Sequence, residues 1–495
     1  MFNLKIIVYT LGLLLVFNGA FMLFPTFLSW YLEEAVSVDL ILALLIIFLS
    51  GFSMMFFTRD HNNKLNQKDG YLIVSLGWVF MSLSGTLPYL TTGLIPSFAD
   101  AFFETMSGFT TTGATILSDI ERLPQSILLW RSLTHWIGGM GIIVLTVAIL
   151  PLFGIGGMQL FAAESPGPSS DKLKPRIADT AKRLWLIYVG FTAVETVLLK
   201  IAGMNWLNAV NHALSTLSTG GFSTKNESIA YWNDQPLIQY IIILFMFLAG
   251  ANFVVSYFAI KGKFGQVKKN EEFRWYASFL LIFASITTLI IFFQADLSMN
   301  SVAHPVVISE FESSIRHALF QVLAVITTTG FVTSDFTAWT PFLTLLFFSF
   351  YFLGGSAGST SGGVKVVRHI VMIKNAFFEF KRTLHPNAII PVRYKGKGVD
   401  QKIIFNILGF FILYALSFII GAIVLAANGL DFETAIGGAA SCLGNVGPAF
   451  GELSPVDNYS ALPTFSKLWM TFLMLIGRLE LFTVLILFSP FFWKN

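Results

Sequence analysis

The chain has 495 residues, 55% hydrophobic and 12% charged, with 52 Phe and a formal net charge of +3. Soluble globular chains carry about 25% charged residues, so this composition excludes an ordinary soluble domain and indicates a protein with many membrane spans. The small net charge excludes nucleic acid as a partner, and the single Cys442 excludes both an intramolecular disulfide and a Cys-based metal site.

Ten apolar runs are long enough to cross a bilayer, at 6–28, 38–57, 70–93, 127–152, 184–203, 236–260, 274–294, 340–372, 403–427 and 464–492. The first follows Lys5 and is longer than the apolar region of a signal peptide, so it is expected to remain as a helix. Shorter semi-apolar segments at 98–109, 206–217, 315–326 and 432–443 lie inside alternate gaps between these runs. Helix-start residues precede or open them: Ser97 with Asp100 three residues on, Asn205, Ser313 or Ser314, and Asp431. The layout predicts an all-α membrane protein. Its units are a leading helix pair (1–68) and four helix, re-entrant loop, helix repeats at 69–165, 166–263, 264–385 and 386–495. With the N-terminus inside, 24 of the 31 Lys and Arg fall on the inner side, which decides the orientation by the positive-inside rule. Both termini are then cytoplasmic, and acids such as Glu33, Glu34, Asp119, Glu121 and Asp457 lie outside, where they concentrate cations or simply keep loops soluble.

Each re-entrant segment runs into a short Gly stretch: Thr110-Thr111-Thr112-Gly113, Ser218-Thr219-Gly220-Gly221, Thr327-Thr328-Thr329-Gly330 and Gly444-Asn445-Val446-Gly447. Ala101, Ala209, Ala318 and Ala435 each stand twelve residues before the last Gly, so the four stretches share one frame. A short helix entering from outside presents the negative end of its dipole near the middle of the bilayer. Irregular backbone at that depth is tolerated only where protein or water surrounds it. Four such ends meeting on a central axis form a ring of carbonyls that can replace the water shell of an alkali cation. Glycine suits the last position because it reaches backbone angles that other residues avoid.

The eighth run contains Gly354-Gly355-Ser356-Ala357-Gly358-Ser359-Thr360-Ser361-Gly362-Gly363, ten residues without a large side chain. Each Gly costs roughly 1 kcal/mol in a helix, so the segment is expected to be an irregular loop crossing the path below the third stretch. Its glycines have phosphate-loop spacing, but Val364 stands where that motif needs Lys. Arg478 lies within the tenth run, where a charge costs about 2.5–3.5 kcal/mol on insertion scales. Glu480, two residues on, falls on another helix face. Carbonyls of the 354–363 loop are the preferred partner, with ion pairing inside the bundle as the rival. Lys365 and Arg368 follow the loop and either meet a cytoplasmic partner or anchor the helix end.

Other residues give weaker signals. His135, His212 and His317 have no metal-ligand spacing and are expected to pack or cap. Glu104 and Glu195 are isolated acids in apolar surroundings, and Trp130, Trp136, Trp206, Trp232 and Trp339 fit interfacial belts. Gly154-Ile155-Gly156-Gly157 lacks the third Gly of a dinucleotide fingerprint, and the inner loops are too short for a nucleotide-binding domain. No organic cofactor and no catalytic constellation is expected.

The stretches Thr-Thr-Thr-Gly-Ala, Ser-Thr-Gly-Gly-Phe, Thr-Thr-Thr-Gly-Phe and Gly-Asn-Val-Gly-Pro, with the Gly-rich loop, resemble the TrkH/KtrB family of potassium uptake proteins over essentially the whole chain. The two leading helices favour its TrkH branch. The resemblance implies four repeats, each folded like a potassium-channel subunit, in pseudo-fourfold arrangement around a central pore. It also implies K+ as the transported ion at the sixteen stretch residues, with Gly at all four last positions similar to the potassium-selective pattern. The 354–363 loop would be the gate and Arg478 its latch. A bacterial cytoplasmic membrane, a homodimer and cytosolic, nucleotide-binding TrkA-like regulatory subunits are implied likewise. The alternative mechanism is a proton- or sodium-coupled cation symporter, which would need an inverted repeat, whereas these four units run in the same direction.

Overall fold

The computed structural model describes residues 2–62, 65–149, 177–295 and 303–494. Helices α1 (Leu4–Tyr31) and α2 (Ser37–Phe57) form the leading pair. Their backbones meet at Gly12 and Gly51, where a Cβ added to Gly12 would stand 2.8 Å from the Gly51 carbonyl oxygen. Small residues at such a crossing let apolar helices pack closely without a hydrophobic driving force.

Among the described residues the other regular elements are helices, apart from a two-stranded hairpin, β1 (Arg393–Tyr394) with β2 (Lys397–Gly398). Among the described residues six helices are long and apolar enough to cross a membrane, and two bent helix pairs make up to two more. The bends explain why continuous apolar runs are not continuous helices. Pro236–Gly250 and Phe253–Ile260 meet at 113°. There the Asn252 side chain caps the second helix, and the Phe253 amide donates to the Gly358 carbonyl at 3.1 Å. Thr464–Arg478 and Phe482–Phe488 meet at 112°, where Glu480 and Leu481 hold positive φ of 54° and 61°. The 340–372 run is a short helix, Pro341–Phe350, an irregular segment, and the amphipathic helix Val366–Leu384. The end of the 127–152 run and the stretch Gly154-Ile155-Gly156-Gly157 lie outside the described residues, as does the boundary set at 165/166.

Four shorter helices lie between the long ones: α3 (Phe98–Phe109), α4 (Trp206–Leu217), α5 (Glu310–Ile326) and α6 (Phe432–Gly444). Each is capped by a side chain that accepts a backbone N–H, from Ser97, Asn205, Ser309 and Asp431. The third starts earlier than expected: Ser309 is the cap, whereas Ser313 and Ser314 sit inside the helix and are buried. Ala101, Ala209, Ala318 and Ala435, the residues of the shared frame, are all at most 1% exposed. Cys442 is a buried free thiol in α6.

The tryptophans depart from the expected belt. Trp206 is exposed, but Trp130, Trp232 and Trp339 are buried. The Trp130 indole N–H donates to the Gly85 carbonyl at 3.2 Å, so satisfying its one polar atom allowed it into the core.

Candidate functional site

The four stretches share one backbone conformation. The first residue ends its helix: Thr110, Ser218 and Thr327 are αR caps at φ −75°, −77° and −81°, and Gly444 is the last residue of α6. The second residue is left-handed, with Thr111, Thr219, Thr328 and Asn445 at φ 54°, 55°, 57° and 55°. The third donates its amide five residues back: Thr112 to Ser107, Gly220 to Ser215, Thr329 to Ala324 and Val446 to Ser441, at 2.8–3.0 Å. The last, Gly113, Gly221, Gly330 and Gly447, has φ 81°, 83°, 71° and 101°. A β-branched residue at positive φ is a genuine outlier, and three Thr adopt it here. Such strain persists only where the surroundings impose it, and it clusters at functional sites.

The last glycines touch one another's stretches in a closed cycle. A Cβ on Gly113 would stand 2.2 Å from the Gly220 carbonyl oxygen, and one on Gly221 would stand 2.1 Å from that of Thr329. One on Gly330 would stand 2.0 Å from the Val446 carbonyl oxygen, and one on Gly447 would stand 2.5 Å from that of Thr112. Each partner is the third residue of the next stretch, and the fourth contact returns to the first. All four glycines also line a single cavity of about 70 Å³, together with Arg131, Phe222, Ser223, Lys225 and Asp457 among others.

The hydroxyls hold the ring from behind. Thr110, Ser218 and Thr327 donate back to the carbonyls of Met106, Leu214 and Leu323, each at 2.7 Å. Thr110 and Thr327 also share hydrogen bonds with Thr112 and Thr329, at 2.8 Å each. The fourth stretch lacks those hydroxyls. There Asn445 Nδ2 donates to Thr112 Oγ1 at 3.0 Å and to the Met474 carbonyl at 2.9 Å, and Tyr459 donates to the Gly447 carbonyl at 2.7 Å. The buried Thr111 Oγ1 and Asn445 Oδ1 have no hydrogen-bond partner.

The 354–363 segment lies against the opposite, helix-side end of the ring. The Gly362 amide donates to Thr328 Oγ1 at 2.7 Å, and Thr360 Oγ1 donates to the carbonyl of Leu217, the last residue of α4, at 2.9 Å. A Cβ on Gly362 would stand 2.8 Å from the Gly444 carbonyl oxygen. The segment is pinned in turn: Gly355 donates to Ser361 Oγ at 3.0 Å, Ser356 to the Gly250 carbonyl at 2.9 Å, and Ala357 to Glu272 at 2.6 Å. Ser359 bonds Ser356 and Ser361, while Gly354, Gly358 and Gly363 make the tight approaches at its turns.

Arg478 spans two elements. Its guanidinium donates to the Thr360 carbonyl at 2.8 Å and to the Gly138 and Gly139 carbonyls at 2.6 and 3.1 Å. Gly138 and Gly139 pack in turn on Phe109 and Ser218, where the first and second stretches begin. Glu480 pairs instead with Arg368, which is 5% exposed and lies 3.9 Å from the Phe410 ring centroid. Lys365 donates to the Ser361 carbonyl. Arg368 is buried, so the free surface expected for it is corrected: the bend after Arg478 brings Glu480 inward to meet it, while the partly buried Lys365 holds the loop at the start of its helix.

Glu104 is not isolated either. It is fully buried and pairs at 2.9 Å with Arg131, itself 1% exposed. It is one of three polar side chains standing nine residues before the last Gly. Glu104, His212 and Gln321 bond the hydroxyls of Thr115, Ser223 and Thr333 on the outgoing segments, at 3.0, 3.0 and 3.3 Å. Gly438 holds that place in the fourth repeat. Aligning the four segments on their frame would have exposed this pattern; reading each acid or His alone hid it. His135 packs as expected, stacked on Phe222 with centroids 3.9 Å apart, and Glu195 is a buried acid in the 177–201 helix.

Comparison with known proteins gives one answer. The TrkH family model, described as cation transport protein, matches residues 39–495. The chain is 37% identical over 496 residues to the Trk system potassium uptake protein TrkH of Escherichia coli K12, covering 100% of both chains. It is 38% identical to the protein of that name from Halomonas elongata, again over 100% of both. A crystal structure of the potassium transporter TrkH from Vibrio parahaemolyticus superposes with a TM-score of 0.86 at 35% identity, covering 99% of this chain and 100% of that one.

Proposed function

The chain belongs to the TrkH family of cation transport proteins, and from that premise we propose that it takes up potassium through one pore filtered by the four Gly stretches and gated by the 354–363 loop. The observation that carries this reading is the closed cycle of contacts between each last Gly and the third-residue carbonyl of the next stretch. Backbone packed that closely turns its carbonyls to a common axis, where they substitute for the hydration shell of a bare cation. The C-terminal dipoles of α3 to α6 add negative potential at the same place. The unpartnered Thr111 and Asn445 oxygens add acceptors where a buried polar atom otherwise calls for an ion or water.

In this reading the cavity beside the four glycines faces the outside of a bacterial cytoplasmic membrane, and the loop faces the cytosol. The loop closes the path by touching the third and fourth stretches and the end of α4. Arg478 holds it shut and places a positive charge beside the path, which opposes cation passage. Other Trk components, in cytosolic TrkA-like form, would supply the opening signal, and the functional unit would be a homodimer. Potassium flux into liposomes holding the purified protein, driven separately by potassium and by proton gradients, tests this. Flux set by the potassium gradient alone supports a pore; uptake that requires the proton or a sodium gradient transfers the assignment to a coupled symporter.

A further inference from the structure

We propose that the buried Glu104–Arg131 pair sets the affinity of the mouth for K+, with Glu104 cancelling a fixed positive charge that would otherwise repel the arriving ion. The inference rests on the filter reading above and concerns residues outside the stretches themselves. Arg131 lines the same cavity as all four last glycines. The cavity's other charges are Lys225, which pairs with Glu121 at 2.7 Å, and Asp457, which accepts from Ser454. The Lys225 side chain keeps 18% exposure and Glu121 keeps 38%, so water and salt screen them. The side chains of Arg131 and Glu104 are 1% and 0% exposed, and a buried charge is screened far less. What the mouth feels from Arg131 is therefore decided by Glu104.

The pair is also a positioning device. Glu104 accepts from Arg131 Nε at 2.9 Å, and from Thr115 Oγ1 and the Ile116 amide, just beyond Gly113, at 3.0 Å each. Arg131 donates to the Ser223 carbonyl at 3.1 Å and lies 4.0 Å from the Phe222 ring centroid, just beyond Gly221. It thus joins the outgoing segments of the first two repeats. Hydrogen bonding fixes the guanidinium, so its charge cannot move away when an ion arrives.

Potassium uptake kinetics in proteoliposomes separate charge from bracing by sign. Glu104→Gln leaves the guanidinium uncompensated and should raise KM for K+ by about tenfold. Arg131→Gln removes the guanidinium and so should not raise KM. A purely structural brace would raise KM in both, and that result overturns the proposal, as does an unchanged KM in both. Where a neutral variant is lost from the membrane, Arg131→Lys carries the test: it keeps the charge and loses the fork. Its maximal rate should fall with KM unchanged, and a shifted KM overturns the proposal. Gly113→Ser in the same membranes shows where a failure lies. If it changes ion selectivity while the pair variants fail, the filter reading stands and this inference falls.

Discussion

The Gly447 Cα rests against the Thr112 carbonyl, so closely that an added Cβ would stand 2.5 Å from the oxygen. This contact joins the last repeat to the first across 335 residues of sequence (447 − 112). The other three contacts of this kind are between consecutive repeats. The arrangement leaves no room for a side chain at any of the four positions, and the positive φ of each disfavours one independently.

Gly330→Ser should therefore be the most disruptive ring substitution, since its Cβ would meet the Val446 oxygen at 2.0 Å and the Pro448 ring at 2.9 Å. Gly113→Ser should be milder and should let sodium compete with potassium. The expected loss of potassium preference is about tenfold or more, equivalent to about 1.4 kcal/mol. Uptake of rubidium against sodium in vesicles measures it.

Arg478→Ala removes three hydrogen bonds to carbonyls from one cation. Bonds to charged groups contribute about 1.5–3 kcal/mol each, so losing even one net bond should raise resting flux at least tenfold. Deleting Gly355–Gly362 should raise it further. A fall in flux in a protein that still purifies as a single species would reject the latch.

Thr328→Val keeps the shape of the side chain and removes the acceptor for the Gly362 amide. Resting flux should rise several-fold, while Thr328→Ser should restore closure. Single-channel or tracer leak assays report both.

Arg368→Met should destabilise the protein by about 3 kcal/mol, because it leaves the partly buried Glu480 without its ion-pair partner. The double change Arg368→Met with Glu480→Leu should recover most of that loss in a thermal melt. Equal destabilisation by single and double variants would contradict a paired role.

The carboxyl of Asp431 is held below the ordinary carboxylate range, chiefly by hydrogen bonding with Thr434 and then with nearby amides. A lowered folded-state pKa means that its cap stabilises the protein above the unfolded pKa and is lost as pH falls through the folded one. Melting curves between roughly pH 5 and 2 should show this loss in the parent and not in Asp431→Asn, whose amide oxygen caps without titrating.

Much of this was legible in sequence because it is local. The bounds of α3 and α4 coincide with the semi-apolar segments, since Ser97 and Asn205 cap them and the Gly stretches end them. Ser309 escaped notice because it precedes two acids, Glu310 and Glu312, rather than the apolar run. The 113° and 112° bends were illegible because each helix pair taken together is still long and apolar enough for one span; tertiary contacts at Gly358 and Arg368 accompany them. The same holds for Lys365 and Arg368, whose charge suggested a surface while their partners lay more than a hundred residues away or on the loop itself. Glu104 was legible only in register with His212 and Gln321.

The most direct measurement is anomalous diffraction from crystals in which thallium replaces potassium. The account predicts a peak on the axis enclosed by the carbonyls of Thr112, Gly220, Thr329 and Val446. An empty ring, with thallium bound elsewhere in the chain, would contradict it.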